Sequence, residues 1–127
     1  MARNKKSSLP FDRRGGVIVT QRFVFSSVQW LDLSPQAKVL MVLLHIHWNP
    51  DRPVAYGCRE AGEKIPCSRT LAMRTFKELE QAGFIRMVDE SLFNSRAGSR
   101  SRTWRLTWLP FQGQAPTNDW EKSAREN

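Results

Sequence analysis

Four side chains that can donate hydrogen bonds recur along residues 68–82 at spacings that place them on one side of a helix. They stand at i, i+4, i+7 and i+11, and they are Thr70, Arg74, Lys77 and Gln81. At about 100° per residue, an apolar set falls on the other side, formed by Ala72, Phe76, Leu79 and Ala82. Arginine can pair with two acceptors of a guanine edge and lysine with a phosphate, so this stripe indicates contact with duplex DNA.

The predicted helix has clear boundaries. Ser68 is a typical N-cap, and Gly83 can adopt the left-handed conformation that ends a helix. A solvated helix face would show the same polarity, so the stripe indicates DNA contact only in combination with the elements around it. We predict that its DNA contacts come from one exposed set, namely Ser68, Arg69, Thr70, Met73, Arg74, Lys77 and Gln81.

Two further helices are expected before it. Ser34 followed by Pro35 is a strong helix start, and the run up to Trp48 is apolar nearly all round, which predicts a central helix. Residues 49–53 contain two prolines and end that helix. Residues 57–64 then form a short helix and residues 65–67 a tight turn. A short helix, a turn and a longer helix make a helix-turn-helix, which presents its second helix to the major groove.

Two strands and a polar loop follow. Residues 84–88 and 103–109 are strand candidates, and in the second strand Trp104, Leu106 and Trp108 alternate with polar residues. The intervening loop is rich in Ser and Gly, so its backbone can conform to a DNA surface while its arginines reach the phosphates. We predict DNA contacts in this loop from Arg96, Ser99, Arg100 and Arg102.

The ends of the chain have different compositions. Residues 1–16 form a basic arm that we expect to be flexible, with a looser DNA contact from Arg3, Lys5, Lys6, Arg13 and Arg14. Residues 17–25 are rich in β-branched and aromatic residues, which favours an additional N-terminal strand. Residues 17–110 are the predicted domain, and residues 111–127 are a polar tail in which Trp120 is a candidate anchor.

Composition agrees with a polyanionic partner. The 127 residues suffice for one domain, and 40% of them are hydrophobic, including five Trp and seven Phe. The formal net charge is +8 at pH 7. Residues 1–22 hold six basic and one acidic side chain, and residues 58–109 hold ten basic and six acidic side chains. The positive excess therefore lies on the arm and around the predicted DNA-binding elements.

Other chemistries find little support in the sequence. Cys58 and Cys67 are too few for a disulfide framework or a zinc site, and His45 and His47 point to different sides of a helix. We recognise no catalytic triad, phosphate loop or paired carboxylates, so we expect no enzyme, no cofactor and no metal. No run of roughly 18 apolar residues is present, so we expect a cytoplasmic protein without a membrane partner.

Three stretches resemble the winged helix-turn-helix proteins of bacterial prophages, plasmids and other mobile elements. They are residues 59–70, residues 77–85 with the ending Leu-Glu-Gln-Ala-Gly-Phe-Ile, and residues 103–107 with Thr-Trp-Arg-Leu-Thr. The resemblance covers roughly residues 23–110. It implies an α+β winged helix, in which a three-helix core is followed by a C-terminal β-hairpin wing, and a bacterial protein encoded by a mobile element.

The sequence thus predicts specific binding to double-stranded DNA, as a transcriptional regulator or as a replication accessory or initiator factor. Two alternatives remain open at this point. One is a winged helix that blocks a host or defence complex through a protein partner, and the other is an RNA-binding module that uses the basic arm. A homodimer is also left open, since winged helices bind as monomers or dimers.

Overall fold

A computed structural model describes residues 14–88 and 102–123 of the chain. Over these residues the fold is a mixed α+β arrangement of six helices and a small antiparallel sheet. In chain order the elements are α1 (Arg22–Phe25), α2 (Val28–Leu31), α3 (Pro35–Ile46), β1 (Val54–Ala55), α4 (Cys58–Lys64), α5 (Arg69–Gln81), β2 (Ile85–Val88), β3 (Thr103–Leu106) and α6 (Trp120–Ser123).

The sheet has three strands in the order β1-β3-β2, and both pairings are antiparallel. In the β2–β3 ladder Ile85 pairs with Leu106 and Val88 with Thr103. On the other side of β3, Val54 of β1 pairs with Trp104. β1 was not predicted, because its two residues are too few to show a period. β3 is also shorter than expected, since residues 107–109 turn away after Leu106.

The local signals at the ends of the two long helices are confirmed. The Ser34 hydroxyl accepts from the amide of Ala37 at the start of α3, with Pro35 in the first turn. The Ser68 hydroxyl accepts from the amide of Leu71 at the start of α5. After α5, Gly83 has φ +88°, the left-handed conformation that favours glycine.

One core lies between α3, α5 and the sheet. Leu40 and Leu44 of α3 are fully buried, as is Leu79 of α5. Phe76 of α5 stacks on Trp104 of β3, with ring centroids 5.4 Å apart. The predicted apolar side of α5 therefore faces the core, and its polar side faces outward.

The segment after β3 folds back onto the end of α5. Trp120 is buried and its ring is stacked on Phe84 at 5.4 Å. The amide of Asn118 donates to the carbonyl of Thr107, and Arg86 of β2 pairs with Asp119. We had predicted a polar tail from residue 111, with Trp120 as an anchor; the anchor is confirmed, and the packed part of the chain extends to α6.

Two expectations about apolar segments were wrong. Residues 17–25 do not form a strand: residues 17–21 have no regular structure and α1 follows. The Thr20 hydroxyl is 3.0 Å from Nδ1 of His45, so this segment contacts α3. The backbone hydrogen bonds of residues 21–26 close local turns. The second error concerns α3, which is not buried on all sides, because Val39, Val42 and Ile46 are exposed.

Candidate nucleic-acid interface

The outer face of α5 carries the predicted stripe. Thr70, Arg74, Lys77 and Gln81 are all exposed, and so are Arg69 and Met73. Since none of these side chains is buried in the core, all of them are accessible to a ligand. The structure thus brings together on one helix all seven residues that the sequence assigned to it, with Ser68 at its N-terminal end.

Ser68 has a structural role at this end of α5. Its hydroxyl accepts from the Leu71 amide at 3.0 Å, which satisfies one of the free amides of the first helical turn. The hydroxyl proton can still be donated outward because the residue is exposed. Ser68 therefore fixes the start of the helix and can also contact a phosphate.

A tight turn sets α4 against α5. The amide of Cys67 donates to the carbonyl of Gly62 at 2.7 Å. A Cβ atom at position 62 would lie 3.0 Å from the carbonyl oxygen of Cys67, so the close approach of turn and helix favours glycine there. Ala61 and Ala72 are both fully buried in the shared core. Small residues on both helices allow this short helix-turn-helix connection.

Glu78 holds α5 against the start of α3. This contact was not predicted from the sequence. One of its carboxylate oxygens accepts from the Ser34 amide at 2.8 Å and the other from the Ser34 hydroxyl at 2.6 Å. Charge-assisted bonds of this kind are among the stronger ones in proteins. The pair ties the start of α3 to the last turns of α5. Because 44 residues separate the partners, no local pattern could have revealed the contact.

The electrostatic character of the α5 face is positive. Arg69, Arg74 and Lys77 are exposed cations on this helix. Of the two acidic residues of α5, Glu78 is held by Ser34, and Glu80 is half-buried. The arrangement therefore presents three positive side chains, with Thr70, Met73 and Gln81 between them, on a rigid helix. Such a surface suits a polyanion with a groove wide enough for a helix.

The predicted wing is described only at its base. Val88 of β2 and Thr103 of β3 form the last described pair of the ladder. Arg102 is exposed immediately before β3. The other residues predicted to contact DNA in this loop, Arg96, Ser99 and Arg100, lie outside the described residues. Of the arm residues, Arg14 is described and is exposed, whereas Arg3, Lys5, Lys6 and Arg13 also lie outside.

The tryptophans serve the core. Trp104, Trp108 and Trp120 are buried, and Trp30 and Trp48 are half-buried. The neighbouring Arg105 lies with its guanidinium carbon 5.1 Å from the centre of the Phe111 ring. A binding mode based on stacking of bases on exposed tryptophans therefore finds no support in the described part of the chain.

The histidines lie apart, as their spacing predicted. His45 is buried beside Trp108, with ring centroids 5.9 Å apart, and burial lowers the pKa of its imidazole below the ordinary value of 6.5. His47 is exposed and packs against Tyr56. Over residues 14–88 and 102–123, no three His, Cys, Asp or Glu side chains are grouped closely enough to hold a metal ion.

Comparisons with known protein families, with curated proteins and with solved structures give no match to this chain. Within the residues described here, no helix is both long enough and apolar enough to cross a bilayer.

Proposed function

We propose that this chain is a winged-helix protein that binds double-stranded DNA in a sequence-specific way through α5. The observation that carries the proposal is the exposed cationic stripe of α5, held by a short helix-turn-helix on one side and by a sheet on the other. The order of elements from α3 to β3, with β3 between β1 and β2, supports the winged-helix assignment.

In this proposal α5 enters the major groove with its exposed face toward the bases. Arg74, in the middle of the helix, is suited to a bidentate contact with O6 and N7 of a guanine. Thr70 contacts a base edge or a phosphate, and Met73 offers an apolar surface to a thymine methyl group. Lys77 and Arg69 pair with phosphates, which fix the register of the helix on the duplex.

The loop between β2 and β3 acts as the wing in the proposal. Arg102 extends from the base of the loop, and the sequence adds Arg96, Ser99 and Arg100 to the same contact. These side chains bind the flanking backbone, and the basic arm with Arg14 supplies a further electrostatic contact. Such contacts add affinity that falls with salt, whereas the base contacts of α5 supply the sequence preference.

The resemblance to winged-helix proteins of mobile elements suggests the biological setting. We propose a bacterial cytoplasmic protein that regulates transcription or assists the initiation of replication. The two roles share the same DNA contact, and the protected sequence distinguishes them, because an operator overlaps a promoter and an initiator site lies at an origin.

Titration against three nucleic acids of equal length tests the proposal. Random duplex DNA, single-stranded DNA and duplex RNA are each titrated at about 50 and 200 mM salt, since phosphate contacts weaken steeply over this range. Selection from a random duplex library then identifies the preferred site. We expect duplex DNA to bind most tightly and selection to converge on one sequence. Equal or tighter binding of RNA favours the RNA-binding alternative, and absence of binding to all three favours a protein partner.

A further inference from the structure

A stripe of apolar side chains runs along the outer face of α3. Val39, Val42 and Ile46 are 42%, 42% and 56% exposed. They stand at i, i+3 and i+7, the spacing that forms the contact seam of packed helices. The opposite face of α3, with Leu40 and Leu44, is buried in the core. α3 is therefore apolar on both faces, and its outer face has no covering element among the described residues.

Further exposed apolar side chains lie near both ends of α3. α2 ends three residues before the Ser34 cap, so exposed Val28 and Leu31 lie near the N-terminal end of α3. At the other end, the hydrogen bond between Thr20 and His45 brings the N-terminal segment to α3. That segment contains three more exposed apolar residues, Val17, Ile18 and Val19.

The charge pattern separates this face from the rest of the molecule. α3 contains no acidic residue, and its one lysine, Lys38, lies over the Trp30 ring at 5.1 Å from the centroid. Two copies of a chain with net charge +8 repel one another through most approaches. The stripe residues themselves are uncharged. Two copies that approach along the stripe therefore do not place like charges of these residues against each other.

We propose that the outer face of α3 docks against the same face of a second copy of this chain, in an antiparallel and two-fold symmetric contact. A two-fold axis close to Val42 places Val39 opposite the partner's Ile46. The same symmetry places Ile46 opposite the partner's Val39. The apolar surface of α2 then meets residues 17–19 of the second copy. The stripe is thus complementary to itself, and its two flanks are complementary to each other.

The size of the surface sets the strength of the contact. Stable interfaces bury about 800 Å² on each partner, more than three side chains supply. The flanking groups on α2 and residues 17–19 are needed to approach that area. The expected dimer is therefore of the weak class, and its formation depends on protein concentration.

This proposal does not rest on DNA binding. α3 packs on α5 through its buried face, so docking through the outer face leaves the cationic face of α5 exposed. The association can be measured without any nucleic acid, and a failure of either proposal leaves the other intact.

Sedimentation of the full chain between roughly 1 μM and 1 mM tests the association, because a weak interface dissociates within this range. We expect the mean mass to rise toward that of a dimer. Val42→Glu places a charge on the axis and is expected to weaken association about tenfold or more. Met87→Glu is the matched control, since it makes a comparably exposed apolar position acidic on β2, outside both proposed surfaces, and it is expected to leave association unchanged.

A charge-pair experiment tests the antiparallel geometry and does not depend on the Val42 variant. Val39→Glu and Ile46→Lys are each expected to weaken self-association. Mixing the two variants brings Glu at position 39 opposite Lys at position 46 of the other chain, and a heterodimer is expected to form. Recovery of association in the mixture would show that both variants are folded, and circular dichroism checks folding of each variant independently.

Three results would overturn the proposal. The first is a parent chain that stays monomeric throughout the concentration range. If deletion of residues 1–13 then makes the chain associate, the α3 face is covered by the chain's own arm and not by a second copy. The second is a Val42→Glu variant that is folded by circular dichroism and associates as the parent does. The third is a mixture of the charge-pair variants that remains monomeric.

Discussion

α3 and α5 have similar lengths, 12 and 13 residues, and both start at a serine cap. Each buries one face in the same core, where Leu40 and Leu44 meet Phe76 and Leu79. Their outer faces differ completely. α5 presents cations and hydrogen-bond donors, and α3 presents an uncharged apolar stripe.

The difference shows that burial fixes only one face of each helix, and the other face is free to serve binding. An apolar outer face is suited to another protein surface, because its burial removes apolar area from water. A cationic outer face on a rigid helix is suited to phosphates and base edges. Under the two proposals, these two outer faces bind two different kinds of partner.

The largest expected effect concerns the shared core. Leu79→Ala removes a fully buried side chain between the two helices and leaves a cavity, so we expect unfolding to require about 2–5 kcal/mol less. Val42→Ala, on the exposed face of α3, is the control and is expected to change stability by about 0.5 kcal/mol or less. Thermal and urea unfolding measure both variants. Similar small changes in the two would mean that α5 does not bury this face.

The ends of the two helices provide the next comparison. Both helices have a cap residue with negative φ, His47 for α3 and Ala82 for α5, but the residue after the α5 cap is Gly83 with φ +88°. A Cβ at position 83 would lie 2.9 Å from the backbone of Asp119 and Trp120, so Gly83→Ala is expected to cost about 1–3 kcal/mol. Gly57→Ala, where a Cβ meets no atom within 4 Å, is the matched control. Equal stabilities of the two variants in urea would show that the C-terminal segment does not pack there.

The base contact assigned to α5 has a distinct signature. Arg74→Ala is expected to weaken binding to the selected duplex by about 1–3 kcal/mol and to change binding to random duplex very little. A base contact stabilises the complex only where the correct base is present. Fluorescence anisotropy with both duplexes measures the two losses. Equal losses would assign Arg74 to a phosphate and remove it from sequence recognition.

The smallest expected effect is the pH dependence that buried His45 of α3 contributes to stability. Burial lowers the pKa of His45 below 6.5, so the unfolded chain binds its proton more readily. Stability is therefore highest above that value and falls as the pH decreases through it. His45→Gln should reduce this fall between about pH 7.5 and 5.5. Urea unfolding at both pH values measures the change in stability. A His45→Gln variant that loses as much stability as the parent between these pH values would contradict the role given to His45.

Local sequence signals predicted much of α5. Its serine cap, its apolar period and the glycine after it act within a few residues, and each is found in the structure. The contacts that orient α5 were not predictable, because Ser34 and Glu78, or Trp120 and Phe84, are distant in the chain. These partners become neighbours only after the chain has folded.

The errors concern apolar segments without a clear period. Residues 17–25 have the composition of a strand, but strand propensity depends on a neighbouring strand, and here the segment meets α3 instead. The all-round apolar pattern of α3 predicted complete burial, and no periodicity in it marked the face that is exposed. The same pattern is what a helix needs when its second face is covered by another chain.

The salt dependence of DNA binding by Lys77→Ala tests the central claim, that the exposed face of α5 binds duplex DNA. The affinity of parent and variant for random duplex is measured over a series of salt concentrations. Lys38→Ala, which removes the same charge from α3, serves as the control. We predict that Lys77→Ala binds more weakly and that its slope of log affinity against log salt is smaller by about one, whereas Lys38→Ala behaves as the parent. An unchanged affinity and slope for Lys77→Ala would contradict the account.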